Sequence, residues 1–374
     1  MSVDISKMPK LGFGLMRLPE KDGVIELDKV CEMVDKYMSK GFTYFDTAYV
    51  YHGGNSEKIV KEAIVKRYPR ESFTVATKLP AWSIKTMEDR DRIFNEQLER
   101  TGLEYIDFYL LHSLEDGNNY DVYEKFDCFN WGIAKKNEGK IRHLGFSFHG
   151  SPALLEKVLD LHPEIEFVQI QLNYADWDNE IVQSGKLYEI LHRRNIPMII
   201  MEPVKGGTLT NLAPELAKML TDKRPDKSVA SWALRFVGSL PGIATILSGM
   251  STAEQMDDNL DTFYNFEPLS DDEKETLDKM VKKMLDTPLI GCTSCRYCTD
   301  GCPMNILIPD IFSCINILRK FPGDMRPRFH YNGLKERGGK AADCIGCGQC
   351  ESVCPQHLPI IELMKEASDI LDKE

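Results

Sequence analysis

The chain is short of basic residues. Its 46 lysines and arginines face 58 aspartates and glutamates, a formal charge of −12. Phosphate binding needs a basic face, so nucleic acid is excluded as a main partner. Long apolar runs are missing too. No stretch approaches the roughly 18 apolar residues of a membrane span. The opening residues Met1-Ser2-Val3-Asp4-Ile5 lack the basic-then-apolar pattern of a secretory signal. These absences predict a cytoplasmic protein with no membrane partner. Cysteine is scarce over most of the length: of eleven, only Cys31 and Cys128 precede residue 290. Disorder is not expected, because apolar residues make up 43% of the 374, enough for a sizeable core.

What is present begins with eight short apolar runs: Leu11–Met16, Thr43–Thr47, Phe73–Lys78, Phe108–His112, His143–Phe148, Phe167–Leu172, Met198–Met201 and Ala244–Ser248. Segments of helical periodicity separate them, at about 26–40, 55–68, 86–102, 119–138, 151–161, 179–194, 213–237 and 252–263. Val30, Met33, Val34 and Tyr37 show the i, i+3, i+4, i+7 spacing of a buried helix face. Asp28 and Ser151 are candidate N-caps and Gly41 a candidate C-cap. Eight strand–helix units predict a parallel sheet covered by helices, and eight is the number that closes a (β/α)8 TIM barrel. The rival is a doubly wound open sheet, which usually carries G-x-G-x-x-G after its first strand. Here Gly12-Phe13-Gly14 lies within the first run, with no third glycine in register.

The character changes near residue 270. Ser270-Asp271-Asp272-Glu273 reads as a helix start, and Pro288 and Gly291 mark a boundary. The remaining nine cysteines follow. Cys292, Cys295, Cys298 and Cys302 precede Pro303, and Cys344, Cys347, Cys350 and Cys354 precede Pro355. Each run is C-x2-C-x2-C-x3-C-P, the spacing of a bacterial-type iron–sulfur motif. Three close thiolates grip three corners of a cubane, and in two-cluster ferredoxins the fourth cysteine ligates the other cluster. The spacing therefore predicts two 4Fe–4S clusters, one on Cys292, Cys295, Cys298 and Cys354, the other on Cys344, Cys347, Cys350 and Cys302. Structural zinc is the alternative, but it uses two pairs set apart rather than four cysteines in one tight run. Between Cys302 and Cys344 lies an insert longer than in compact ferredoxins, with an apolar helical stretch at Ile311–Phe321. The second domain is thus expected to be mostly helical and ferredoxin-like, over 285–374, after a barrel over 1–284. Cys314 has no motif and is assigned to packing.

Catalytic groups of a barrel sit at the C-terminal ends of its strands. Asp46 closes the second run, Tyr51 follows five residues later, Lys78 closes the third and His112 the fourth. Together they can deliver a proton. A tyrosine ionises near pH 10; a neighbouring ammonium is expected to lower that value, a carboxylate to keep the ammonium charged, and a histidine to orient a carbonyl oxygen. Taken singly, a strand-end lysine is a solvated charge and a lone histidine a satisfied polar group. Trp82, His149, Tyr174 and Trp177 also follow strand ends, as pocket lining or loop packing.

Over about residues 8 to 270 the chain resembles the aldo-keto reductases. The resemblance rests on Leu11-Gly12-Phe13-Gly14-Leu15-Met16-Arg17-Leu18, Asp46-Thr47-Ala48-x-x-Tyr51, Thr77-Lys78, Leu110-Leu111-His112 and Gly145-Phe146-Ser147. It implies that Tyr51 is the general acid, that Asp46 and Lys78 tune it, and that His112 orients a small carbonyl substrate. It also implies NAD(H) or NADP(H) lying extended at the barrel mouth, with Met16, Asp46, Ser147, Gln169, Met201, Pro203, Val204, Gly206, Ser248, Gly249, Met250, Gln255 and Asn259 as contacts. Phe148 replaces the asparagine that commonly follows the serine, and Met201 stands where many members stack a tyrosine. The positions that usually supply a cation to a 2′-phosphate are Gly249 and Gln255, which points to NAD.

A nicotinamide delivers a hydride, two electrons at once, whereas a 4Fe–4S cluster exchanges one. Electronic coupling of the halves would require a flavin, a substrate with a stable one-electron state, or an electron-carrier protein. Three functions follow: a carbonyl reductase whose clusters exchange electrons, a carbonyl reductase whose clusters are structural, or a redox-sensing protein whose barrel only binds nicotinamide. A sensor has no need of Tyr51 and Lys78 together.

Overall fold

The computed structural model describes residues 4–179, 182–292, 294–335 and 337–372. Met1–Val3, part of the segment read for a secretory signal, lie outside the described residues. The chain forms two compact units, Met1–Val204 with Ala230–Asp271, and Lys205–Val229 with Asp272–Glu374. The first differs from the sequence partition at 284/285 by giving up 205–229 and ending at Asp271.

The first unit contains a closed eight-stranded parallel barrel. Its strands are β1 (Leu11–Gly14), β4 (Tyr44–Asp46), β5 (Thr74–Pro80), β6 (Ile106–Leu114), β7 (Ile141–Phe148), β8 (Phe167–Gln171), β9 (Met198–Met201) and β10 (Ile243–Ser248). A small antiparallel hairpin, β2 (Glu20–Lys21) and β3 (Val24–Ile25), follows β1. Neighbours pair in sequence order, and β1 closes the ring onto β10 through Gly12 opposite Leu247. Every apolar run seen in the sequence is a barrel strand. The reason is burial on both faces: Tyr44, Phe108 and Phe167 fill the interior while the outward side chains meet helices. At Gly145 a Cβ would stand 2.5 Å from the Phe167 carbonyl oxygen, so the close approach of β7 to β8 requires glycine.

The helices of this unit are α1 (Leu27–Ser39), α2 (Asn55–Val60, extended by a π turn to Val65), α3 (Met87–Thr101), α4 (Asn118–Lys125), α5 (Cys128–Asn137), α6 (Pro152–Leu161) and α7 (Ser184–Arg193). After α8 (Pro214–Lys223), which belongs to the second unit, come α9 (Val229–Gly238) and α10 (Ala253–Tyr264). Ser151 caps α6 by accepting from the Leu154 N–H. The N-cap of α1 is Glu26, so Asp28 sits inside its first turn rather than before it. Gly41, with φ 84°, ends that helix in the left-handed region. The segment at 119–138 is two helices, because Asp127 turns left-handed (φ 49°) between them.

The second unit adds α11 (Asp271–Leu285), α12 (Tyr297–Asp300), α13 (Ile308–Lys320), α14 (Arg326–Lys335), α15 (Gln349–Ser352) and α16 (Ile360–Leu371). It has its own core, in which Ile311, Phe312 and Ile315 of α13 meet Met364 and Ala367 of α16. Arg319 clamps Glu366 at 2.7 and 2.8 Å across the same pair. Cys314 is buried in this core, as its lack of a motif suggests. The segment 205–229 is part of the unit: Lys205 lies over the Phe321 ring at 5.3 Å, and Arg224 pairs with buried Glu273 at 2.9 Å. No helix among the described residues is long and apolar enough to cross a membrane.

Candidate active site and cluster sites

The four proton-delivery candidates converge at the C-terminal mouth of the barrel. Asp46 ends β4, while Lys78 and His112 lie two residues before the ends of β5 and β6, so those strands run further than the sequence suggested. Tyr51 opens the turn that leads into α2. Lys78 is fully buried and donates to Asp46 Oδ1 at 2.6 Å and to the Thr47 carbonyl at 2.7 Å. Its Nζ is 5.0 Å from the centre of the Tyr51 ring, close enough for its charge to act on the phenol. The His112 ring meets the Tyr51 ring edge-on at 6.1 Å.

Electrostatics divide these groups by role. Burial alone would push Lys78 down, but Asp46 and Tyr51 together carry it above its ordinary value, so it remains a cation. Burial pushes the Tyr51 phenol up, and Lys78 pulls it back only in part. The expectation of a lowered phenol is thereby corrected: the site is dry, and desolvating a phenolate outweighs one ammonium. Burial, with help from Lys78 and His149, drops His112 to about 3, so it stays neutral. Its Nδ1 has no protein partner.

The nicotinamide candidates form two groups. Ser147 and Gln169 are register partners on β7 and β8, and Gln169 Nε2 donates to Met201 Sδ at 3.6 Å. Gln169 Oε1 is buried with no partner. An orphan amide oxygen beside a serine hydroxyl fits the donor and acceptor pattern of a nicotinamide carboxamide. At the end of β10, Asn259 donates to Ser248 Oγ at 2.7 Å, and Gln255 Oε1 accepts from the Ser251 N–H at 2.7 Å. Gly249 lies under Arg17, whose Cβ is 3.4 Å from where a glycine Cβ would be. Met16 is exposed, whereas the Met250 side chain is turned into the core. Pro203 and Val204 follow β9 in the barrel unit; Gly206, left-handed at φ 64°, belongs to the second unit.

Beyond β10, α1 and the start of α10 line an open cavity of about 650 Å³. It does not touch the tetrad. Glu20, Glu26, Glu32 and Glu254 line it, with Lys29 and Lys36. Both lysines are engaged, Lys29 with Glu26 at 2.7 Å and Lys36 with Asp257 at 2.6 Å. The sequence reasoning passed over Glu202 and Arg17. Glu202 follows Met201 directly, and a charged residue one step past a barrel strand was the available signal.

In the second unit the eight motif cysteines fall into two small cavities. One is lined by Cys292, Cys295, Cys298 and Cys354, the other by Cys302, Cys344, Cys347 and Cys350. Each gathers three thiols of one run and the fourth of the other, a donor set that fits a cubane. Ile308, at the start of α13, lines both. Arg296, paired with Asp310 at 2.9 Å, borders the first; the second is walled by Met304, Ile306 and Ile361.

Comparison with known proteins gives two family matches. The aldo/keto reductase family matches residues 10–282, and the 4Fe-4S dicluster domain matches residues 291–358. Among curated proteins, an L-galactose dehydrogenase from Arabidopsis thaliana is 27% identical over 293 residues, covering 73% of this chain and 90% of the relative. An uncharacterized oxidoreductase, YqkF, from Bacillus subtilis is 25% identical, covering 75% and 94%. Among solved structures, the thermostable aldo-keto reductase Tm1743, in complex with the inhibitor epalrestat, superposes with a TM-score of 0.59 at 21% identity, over 75% of this chain and 99% of that one. An aldo/keto reductase from Klebsiella pneumoniae in complex with NADP and acetate gives 0.59 at 21%, over 73% and 92%. None of these matches supports a flavin.

Proposed function

This chain is an oxidoreductase of the aldo/keto reductase family with a C-terminal 4Fe-4S dicluster domain, and from that premise we propose that it reduces a small carbonyl compound with Tyr51 as the proton donor. The observation that carries this is the buried Lys78, held at 2.6 Å from Asp46 with its Nζ 5.0 Å from the centre of the Tyr51 ring. A bound reduced nicotinamide supplies the hydride. Gln169 and Ser147 would hold its carboxamide. Tyr51 keeps its proton at neutral pH and gives it to the carbonyl oxygen as negative charge develops there. Lys78 stabilises the phenolate left behind, and Asp46 keeps Lys78 in place. Neutral His112 orients the carbonyl oxygen. The decisive experiment is substitution of Tyr51, treated in the Discussion.

Two further expectations belong to this proposal. NADH is the preferred donor. The acidic cavity beyond β10 flanks the segment assigned to the adenosine end, and its two lysines are paired with Glu26 and Asp257, so a 2′-phosphate meets carboxylates along that wall. The kcat/KM for NADH should exceed that for NADPH by about ten-fold, and Glu254→Arg should narrow the ratio. NADPH preference in the unaltered protein would contradict this, and would align it with the NADP-bound Klebsiella enzyme. The clusters, in turn, stabilise the second unit rather than take part in turnover, because hydride and proton complete the reduction without them. Anaerobic NADH should therefore leave the electron paramagnetic resonance spectrum silent, while dithionite produces reduced-cluster signals. Signals from NADH alone would instead require a one-electron relay, such as an electron-carrier protein.

A further inference from the structure

The insert between Cys302 and Cys344 ties the two cysteine runs down unequally. The second run is held at its entry. In α14 the buried Tyr331 hydroxyl accepts from the Ala341 N–H at 2.8 Å and donates to Asp372 at 3.0 Å. Asp372, at the end of α16, also accepts from the Ala342 N–H at 3.2 Å and faces Lys335 at 3.5 Å. These bonds fix the backbone two and three residues before Cys344. Just upstream, Gly339 bridges to Ile306, and its N–H donates to the Asn305 carbonyl at 3.1 Å. A Cβ at Gly338 or Gly339 would collide with the carbonyls of Asn305 or Met304, so this approach needs both glycines. The same crossing brings Cys302, three residues before Asn305, to the second run. There the Ile306 N–H points at the Cys302 sulfur at 3.5 Å, which favours the thiolate that iron binds.

The first run is tied more lightly. Asn316 of α13 exchanges two hydrogen bonds with Ile290, at 2.7 and 3.0 Å, ahead of Cys292. Arg296 reaches Asp310, but its side chain is 53% exposed, and an exposed ion pair contributes little. The fourth thiol of this site, Cys354, comes from the end of the second run. The first site is therefore complete only when the second run is in place. The second site depends less on the first, because the glycine crossing pins Cys302.

We propose that the insert is a template for one cluster and makes the other labile. The site of Cys302, Cys344, Cys347 and Cys350 is held by protein hydrogen bonds as well as by metal. The site of Cys292, Cys295, Cys298 and Cys354 relies far more on the metal itself. The chain thus has a stable one-cluster form, reached by losing iron from the first site. Tyr331 and Asp372 are positioning residues: they act through the backbone before Cys344 and need not touch the metal. None of this depends on what the barrel reduces.

Full-length protein, purified anaerobically and given an excess of an iron chelator, should lose its cluster absorbance in two equal phases. Their rates should differ by about ten-fold or more. Cys298→Ala/Cys354→Ala, which leaves the second site alone, should show the slow phase only. Tyr331→Phe strands the Ala341 N–H and should speed the slow phase about ten-fold, with little change in the fast one. Asp372→Asn keeps an acceptor for the phenol and should speed it less; it carries the same test if Tyr331→Phe does not fold. A single phase would overturn the proposal, as would a slow phase that vanishes in Cys298→Ala/Cys354→Ala. So would a substitution at Tyr331 or Asp372 that leaves the slow phase unchanged, or one that speeds both phases alike, the mark of general loosening.

Discussion

Tyr51→Phe should lower kcat for carbonyl reduction by at least about a hundred-fold, the scale of a lost general acid, while nicotinamide still binds. The substitution removes one oxygen and keeps the ring, so the edge-on packing against His112 and the Lys78–Asp46 pair can persist. The loss should therefore fall on kcat, with the Kd for NADH little changed. The pH profile adds an independent check. The donor is active while it holds its proton, below its pKa, and burial puts that pKa above the ordinary 10. The rate should run level through neutrality and fall only above about pH 10. His112, depressed to about 3, adds no limb across the neutral range. Activity surviving in Tyr51→Phe, or an inflection near neutrality, would assign the proton to another group.

The cysteine pairing makes an equally large prediction. With crossed ligation, Cys298 and Cys354 serve the same cluster, so Cys298→Ala/Cys354→Ala should retain about half of the iron. Cys350→Ala/Cys354→Ala then strikes both clusters and should lose nearly all of it. If each run held its own cluster, the two outcomes would exchange places. Iron analysis of anaerobically purified protein decides between them. Losing a cluster should also lower the thermal stability of the second unit, because buried Cys298 and Cys350 would no longer be tied to their partners through metal.

The barrel was legible because its strands are parallel and buried on both faces. Such strands appear as unbroken apolar runs, and Thr74–Pro80 and Ile243–Ser248 are buried throughout. Strand ends were less legible: β5 and β6 continue past Lys78 and His112 because hydrogen bonds to neighbouring strands persist beyond the apolar stretch, Pro80 still facing His112. That Asp46, Tyr51, Lys78 and His112 would lie near one another could be anticipated from their places at strand ends, whereas the direction of the Tyr51 shift could not, since it depends on how completely the folded barrel excludes water. Helix breaks at residues that turn left-handed, as at Asp127, leave little trace in periodicity. Glu202 escaped notice because its interest lies in an unsatisfied oxygen, a property of three dimensions.

The second unit draws on two separate stretches of chain, Lys205–Val229 and Asp272–Glu374. Within that unit the segment 205–229 packs with the residues that follow Asp272, although the reductase family match, 10–282, includes it. A recombinant fragment starting at residue 285 would leave Phe321 without Lys205 above it, and would lack the Arg224–Glu273 pair altogether. A barrel cut at 284 would keep α8 with nothing of its own unit but α11.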